Sequence, residues 1–100
     1  MSITIAGIDF VQHDYDERGD VLYLNTALHD GTKPPVRAPP TPEGHNVEYD
    51  EAGRVVSLTL VNVRALVERD GKLTITWPPA SLRPKELAAV LAPVVQPPRQ

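Results

Sequence analysis

Two echoing stretches constrain what this chain can fold into. Tyr15-Asp16-Glu17-Arg18-Gly19-Asp20-Val21-Leu22-Tyr23-Leu24 is answered, thirty-four positions later, by Tyr49-Asp50-Glu51-Ala52-Gly53-Arg54-Val55-Val56-Ser57-Leu58. Each runs from an aromatic strand end through a tight acidic turn containing glycine into a new apolar strand, so each reads as a β-hairpin. In both turns the leading aspartate can accept from amides ahead of it, and the next two residues suit a type I turn. Gly19 and Gly53 are then expected to take the left-handed conformation that closes the hairpin with a bulge.

Around the echo the pattern can be followed in order. Ile3 to Tyr15 reads as a first strand, its apolar runs broken at Gly7, with Ile8, Phe10 and Gln12 on one face. Val21 to Thr26 carries apolar groups on both faces, as a central or covered strand does. Lys33 to Pro42 holds five prolines in ten residues. That density removes ladder donors and implies a surface loop or an ordered segment lying along a sheet edge; a proline-rich ligand for an aromatic groove is the functional alternative.

Val56, Leu58 and Leu60 alternate with Ser57, Thr59 and Val61, a period of two. Residues 63–69 fit a strand or one helical face equally well. Asp70-Gly71 favours the strand, since that dipeptide suits a hairpin turn into Lys72-Leu73-Thr74-Ile75-Thr76-Trp77, with Leu73, Ile75 and Trp77 facing inward. After Pro78 and Pro79, a short helix is expected with Pro84 in its first turn, Glu86 near its positive end and Leu87, Val90 and Leu91 as its buried stripe. Pro93 stops it, and residues 93–100 read as a tail. The expected fold is therefore α+β: a small antiparallel sheet of five or six strands made of consecutive hairpins, with one short C-terminal helix. Residues 1–100 form a single domain in this reading, with residues 33–44 as its proline-rich loop.

Aromatic bulk comes only from Trp77, Phe10 and three tyrosines, so the core must be built mostly of Val, Leu and Ile. Such a thin core, together with the edges that consecutive hairpins leave, points to a homodimer. The net charge of -3, without a basic stripe, argues against a nucleic-acid surface. The N-terminal run lacks a cationic start and meets Asp9 early, no apolar stretch reaches spanning length, and the default expectation is a cytoplasmic protein with no membrane role. The absence of cysteine excludes disulfide and thiolate chemistry.

Three sets of residues have the side chains for chemistry. Asp14, Asp16, Glu17 and Asp20, with Glu48, Asp50 and Glu51, could surround a divalent cation if the two hairpin tips met. Arg18 occupies a position where a calcium loop needs an oxygen, so turn chemistry is the simpler account. His13, His29 and His45 lack metal-ligand spacing and read as solvated histidines. Tyr15 and Tyr49 suit hairpin entrances, their rings across the strand pair and their hydroxyls wet, with Tyr23 beside them. No phosphate loop, nucleophile elbow or triad signature is present, so the expectation is of no catalytic residues, no metal ligands and no cofactor, and of a protein that is not an enzyme.

The pattern Tyr15-Asp16-x-x-x-Asp20-x-Leu22-Tyr23-Leu24, followed by Tyr49-Asp50-Glu51-x-Gly53-Arg54-Val55-Val56, resembles the small bacterial and archaeal domain of unknown function numbered 2283. That family's pattern runs Y-D-x-x-A-D-x-L-Y-I and then D-x-D-x-x-G-R-[IV]-V-G-I-E. The likeness covers roughly residues 12–62; where the pattern has alanine, glycine and glutamate, this chain has Gly19, Ser57 and Thr59. The resemblance carries over no activity. It implies a binding role, antitoxin-like toward a small toxin-like protein in some gene pairs. The sequence therefore favours a non-catalytic protein-interaction module, with a small-ligand or divalent-cation binding domain at the acidic turns as the alternative.

Overall fold

The computed structural model describes residues 3–91. The expected tail, with Pro93, lies outside them. The chain opens with a hairpin of β1 (Ile3–Ile5) and β2 (Ile8–Phe10), in which Ile5 pairs with Ile8 and Ile3 with Phe10. Its two-residue turn places Ala6 at φ 53 and Gly7 at φ 79, the double left-handed geometry that matches strand twist. The single first strand expected from the sequence is thus three strands, the third being β3 (Gln12–Asp16). Val11 lies between β2 and β3, its amide bonded to the Asn25 carbonyl at 2.9 Å. Past it, Gln12 no longer shares a face with Phe10: His13 and Tyr15 stand opposite the buried Leu24 and Leu22.

Alanine pays a steric penalty at positive φ that asparagine largely avoids. Ala6→Asn is accordingly expected to stabilise the fold by about 1 kcal/mol, read as a higher urea midpoint at unchanged m-value.

The echo becomes the central sheet. Strands β3, β4 (Val21–Asn25), β5 (Val36–Arg37), β6 (Asn46–Tyr49) and β7 (Val55–Val61) assemble in the antiparallel order β3-β4-β7-β6-β5. The two hairpins, β3-β4 and β6-β7, are joined along β4 and β7. One face of this sheet buries Leu22, Leu24, Val47, Leu58 and Leu60. Ile5 and Phe10 complete that core from the N-terminal hairpin, and Leu73, Ile75, Leu82, Leu87 and Val90 complete it from the C-terminal third. The fold is α+β, as the sequence implies.

The two left-handed glycines do not match. Gly53 has φ 80, but in the first turn the positive φ of 57 belongs to Asp20, one residue after Gly19. At Gly19 the constraint is space instead: a β-carbon there would lie 2.9 Å from Asp16 Oδ2.

Residues 63–69 are helical, against the strand expected of them: α1 spans Val63–Asp70. Asn62, at φ 54, breaks β7, and Gly71, at φ 76, ends the helix by donating to the Val67 carbonyl at 2.7 Å. Asp70-Gly71 misleads because a hairpin turn and a helix terminus both need the positive φ that glycine supplies. β8 (Leu73–Ile75) then pairs with β9 (Ala80–Leu82). Leu73 and Ile75 are buried as expected, but β8 stops before Trp77, which is 54% exposed rather than inward. Glu43 holds the turn instead, accepting from the Thr76 amide at 3.1 Å and the Thr76 hydroxyl at 2.6 Å. A second helix, α2 (Pro84–Leu91), begins with Pro84 and buries Leu87 and Val90, with the Glu86 carboxylate accepting from the Arg83 amide at 3.0 Å. The C-terminal helix is as expected; α1 is additional to it.

Candidate interaction surface

The acidic tips lie at opposite ends of the sheet. Val21 pairs with Val61 and Asn25 with Ser57, so the first tip, next to Val21, is separated from the second, next to Val55, by the length of β7, roughly 20 Å. The seven carboxylates that would have shared a cation are not brought together. No group of three or more potential metal ligands occurs among the described residues.

Each tip uses its aspartate locally. Asp50 Oδ1 accepts from the Ala52 and Arg54 amides, both at 2.9 Å, and Asp50 Oδ2 accepts from Arg54 Nε at 2.8 Å. The Arg54 amide is the first cause that holds the Asp50 carboxyl below the usual range. Asp16 Oδ1 accepts from the Arg18 amide at 3.1 Å. Asp20 reaches further: its Oδ1 accepts from the Tyr15 hydroxyl at 2.6 Å and the Arg64 amide at 2.8 Å, its Oδ2 from the Ala65 amide at 3.1 Å, and its carbonyl from the Val63 amide at 3.2 Å. It therefore caps α1 from forty-four residues away. Burial pushes the Asp20 carboxyl up, but the Tyr15 hydroxyl and the two amides outweigh it and leave it below its ordinary value. Conversely, burial first and Asp20 second push the Tyr15 hydroxyl up to about 12.

Both hairpin-entrance tyrosines give their hydroxyls a protein partner, part-buried at Tyr15 and exposed at Tyr49. Tyr15 donates to Asp20 beneath Arg64, whose guanidinium lies 5.4 Å from the ring centre, and the Tyr49 hydroxyl accepts from the Trp77 indole. His45 is not solvated either: it is fully buried. Its Nδ1 accepts from the Val61 amide at 3.1 Å, which makes Nε2 the protonated nitrogen, 3.3 Å from the Thr74 carbonyl. Burial, the largest influence, lowers its pKa against the opposing pull of Thr74 and Glu43. His45 thus ties the main sheet to β8, a role invisible in sequence because its partners are backbone groups sixteen and twenty-nine residues away.

The remaining surface of interest is the sheet's second face. Register places Asp14, Tyr23, Thr59 and Asn46 in one cross-strand row, and Gln12, Asn25, Ser57, Glu48 and Arg37 in the next. The second row is internally bonded: Ser57 donates to Glu48 Oε1 at 2.7 Å, and Arg37 pairs with Glu48 Oε2 at 3.2 Å. Tyr23, 44% exposed, stands in the middle of the face. Beside it an open groove of about 450 Å³ runs along β3 and β4, bounded by Val11, Gln12, Asp14, Tyr23 and Asn25.

The two edges of the sheet differ. β5 is two residues long and flanked by Pro34, Pro35, Pro39 and Pro40, so the proline-rich segment lies along the edge. The Ala38 amide extends its pairing by donating to the Val47 carbonyl at 3.1 Å. Prolines offer no donors, and that edge is closed to further strands. β3 presents five residues with β4 as its sheet neighbour, and no proline interrupts it. No described helix is long and apolar enough to cross a membrane. In comparison with known proteins, no family model matches this chain, and no curated protein or solved structure matches it.

Proposed function

We propose that this chain is a non-catalytic protein-interaction module, antitoxin-like in the sense that it binds a small partner protein. The observation that carries the reading is the one-sided sheet: its core face is covered by both small hairpins and the helices, while Tyr23 of β4 stands exposed on its second face and β3, with α2 packed near it, is the last strand on its side. Exposed tyrosine on a rigid sheet is typical of residues that anchor protein contacts. The non-catalytic part is supported by Asp20, Asp50 and His45, whose polar atoms are engaged in holding turns, helix and sheet together. A second copy and a small protein partner both fit the open face.

Sedimentation velocity at micromolar concentration, together with retention of partners by the immobilised chain, tests this. The expected result is a dimer or a retained protein, with Tyr23→Ala weakening either by about tenfold while leaving the circular dichroism unchanged. A monomer that retains nothing, or a partner indifferent to Tyr23→Ala, overturns the reading.

A further inference from the structure

We infer that β3 takes up a cationic extended segment of a partner protein by strand addition; this rests on the interaction reading above and names the chemistry of the partner. The edge itself is the first argument. An unpaired strand offers a row of backbone donors and acceptors that another chain can complete, and here one sheet edge is closed by prolines while the other, β3, has five continuous residues with no second strand beside them and α2 packed near it.

The second argument is charge. Along β3 the residues on the open face are Gln12, Asp14 and Asp16, with Glu17 next in the turn. Asp14 makes no ion pair among the described residues, and Glu17 is 4.0 Å from Arg64. A second copy added antiparallel about Asp14 would set Asp14 against its own counterpart; shifting the axis by one residue to Tyr15 sets Asp14 against Asp16 instead. Like charges directly opposed in a sheet repel, so in these two registers the carboxylates oppose self-pairing. A strand carrying lysine or arginine at every second position turns the same row into attraction. Its cationic residues would lie over Asp14 and Asp16 on the open face, alongside the groove next to Tyr23, and its intervening residues would follow His13 and Tyr15.

The test uses the full chain, isotope-labelled, with two synthetic decapeptides that alternate lysine with threonine or glutamate with threonine. The lysine peptide is expected to shift and protect the amides of Gln12–Asp16 and to bind about tenfold tighter than the glutamate peptide at low salt, a preference that fades near 0.5 M salt. Asp14→Asn with Asp16→Asn should erase the preference, and N-methylation of the lysine peptide's backbone should abolish binding. Equal affinity for the two peptides, perturbation confined to residues outside β3, or binding that survives N-methylation overturns the inference. A dimer of the free chain whose own β3 amides are protected also overturns it, since a second copy then holds the edge, while leaving the interaction-module reading intact. A monomeric chain that ignores both peptides and retains no protein removes both.

Discussion

His45→Ala should cost about 2–4 kcal/mol of stability, read by urea denaturation followed by circular dichroism. The imidazole is fully buried and bonded at both nitrogens, to the Val61 amide of β7 and the Thr74 carbonyl of β8. Truncation leaves a cavity and orphans a buried amide donor. The cost should fall on the docking of β8 and β9, because Thr74 loses its link to the central sheet. His45→Asn, which can keep an acceptor for Val61, should cost less.

The same geometry fixes a pH dependence. A proton on Nδ1 would point at the Val61 amide, donor against donor, so the folded chain binds that proton more weakly than the unfolded chain does near 6.5. Stability from this group is complete above about pH 6.5 and declines as pH falls toward the folded pKa, by at most about 1.4 kcal/mol per pH unit for a single proton. Asp20, Glu43 and Asp50 are also held below their ordinary values, but their contribution starts to fall only near their unfolded values of 3.8 and 4.5. The slope between pH 6.5 and 5 therefore separates the histidine from the carboxylates. His45→Asn should flatten it; a slope unchanged in that variant would exclude His45 as its source.

What could be read from the sequence follows from how local each feature is. Alternation in β4 and β7 survives because a half-covered sheet has a period of two wherever it occurs, and Asp50 with Gly53 makes a turn that closes within five residues. The failures all involve distant partners. Residues 63–70 become a helix because Asp20 supplies the acceptors at its start; their own pattern is ambiguous. Trp77 leaves the core because Glu43 captures Thr76 and the prolines end the ladder, and His45 enters it because backbone groups of β7 and β8 converge there. The proposed interaction surface was readable only as a consequence of hairpins leaving edges. That β5, flanked by Pro34, Pro35, Pro39 and Pro40, ends the sheet on one side and β3 ends it on the other depends on strand order, which the turn signals do not encode.

Asp20→Ala should destabilise the fold by about 2–4 kcal/mol, more than an exposed turn acid ordinarily contributes, because three separate losses coincide. The α1 amides of Arg64 and Ala65 lose their acceptors, a cap of about 1–2 kcal/mol. The Tyr15 hydroxyl loses its partner, and alanine is forced into a backbone at φ 57 that aspartate tolerates better. Two further substitutions separate these terms. Asp20→Gly relieves the backbone but not the cap; Asp20→Asn keeps the conformation and one acceptor but removes the charge that favours a helix N-terminus, and should cost about 1 kcal/mol. Circular dichroism and exchange of the Arg64 and Ala65 amides should show α1 fraying in the alanine and glycine variants before the sheet unfolds. Tyr15 supplies an independent readout. Its hydroxyl, pushed up to about 12 by burial first and then by the Asp20 carboxylate, should ionise nearer its ordinary value of 10.0 in Asp20→Asn, seen by ultraviolet absorbance. Helix fraying without that change in Tyr15 would mean that the carboxylate caps α1 without holding the tyrosine, and the two halves of the Asp20 junction would then have to be treated as independent.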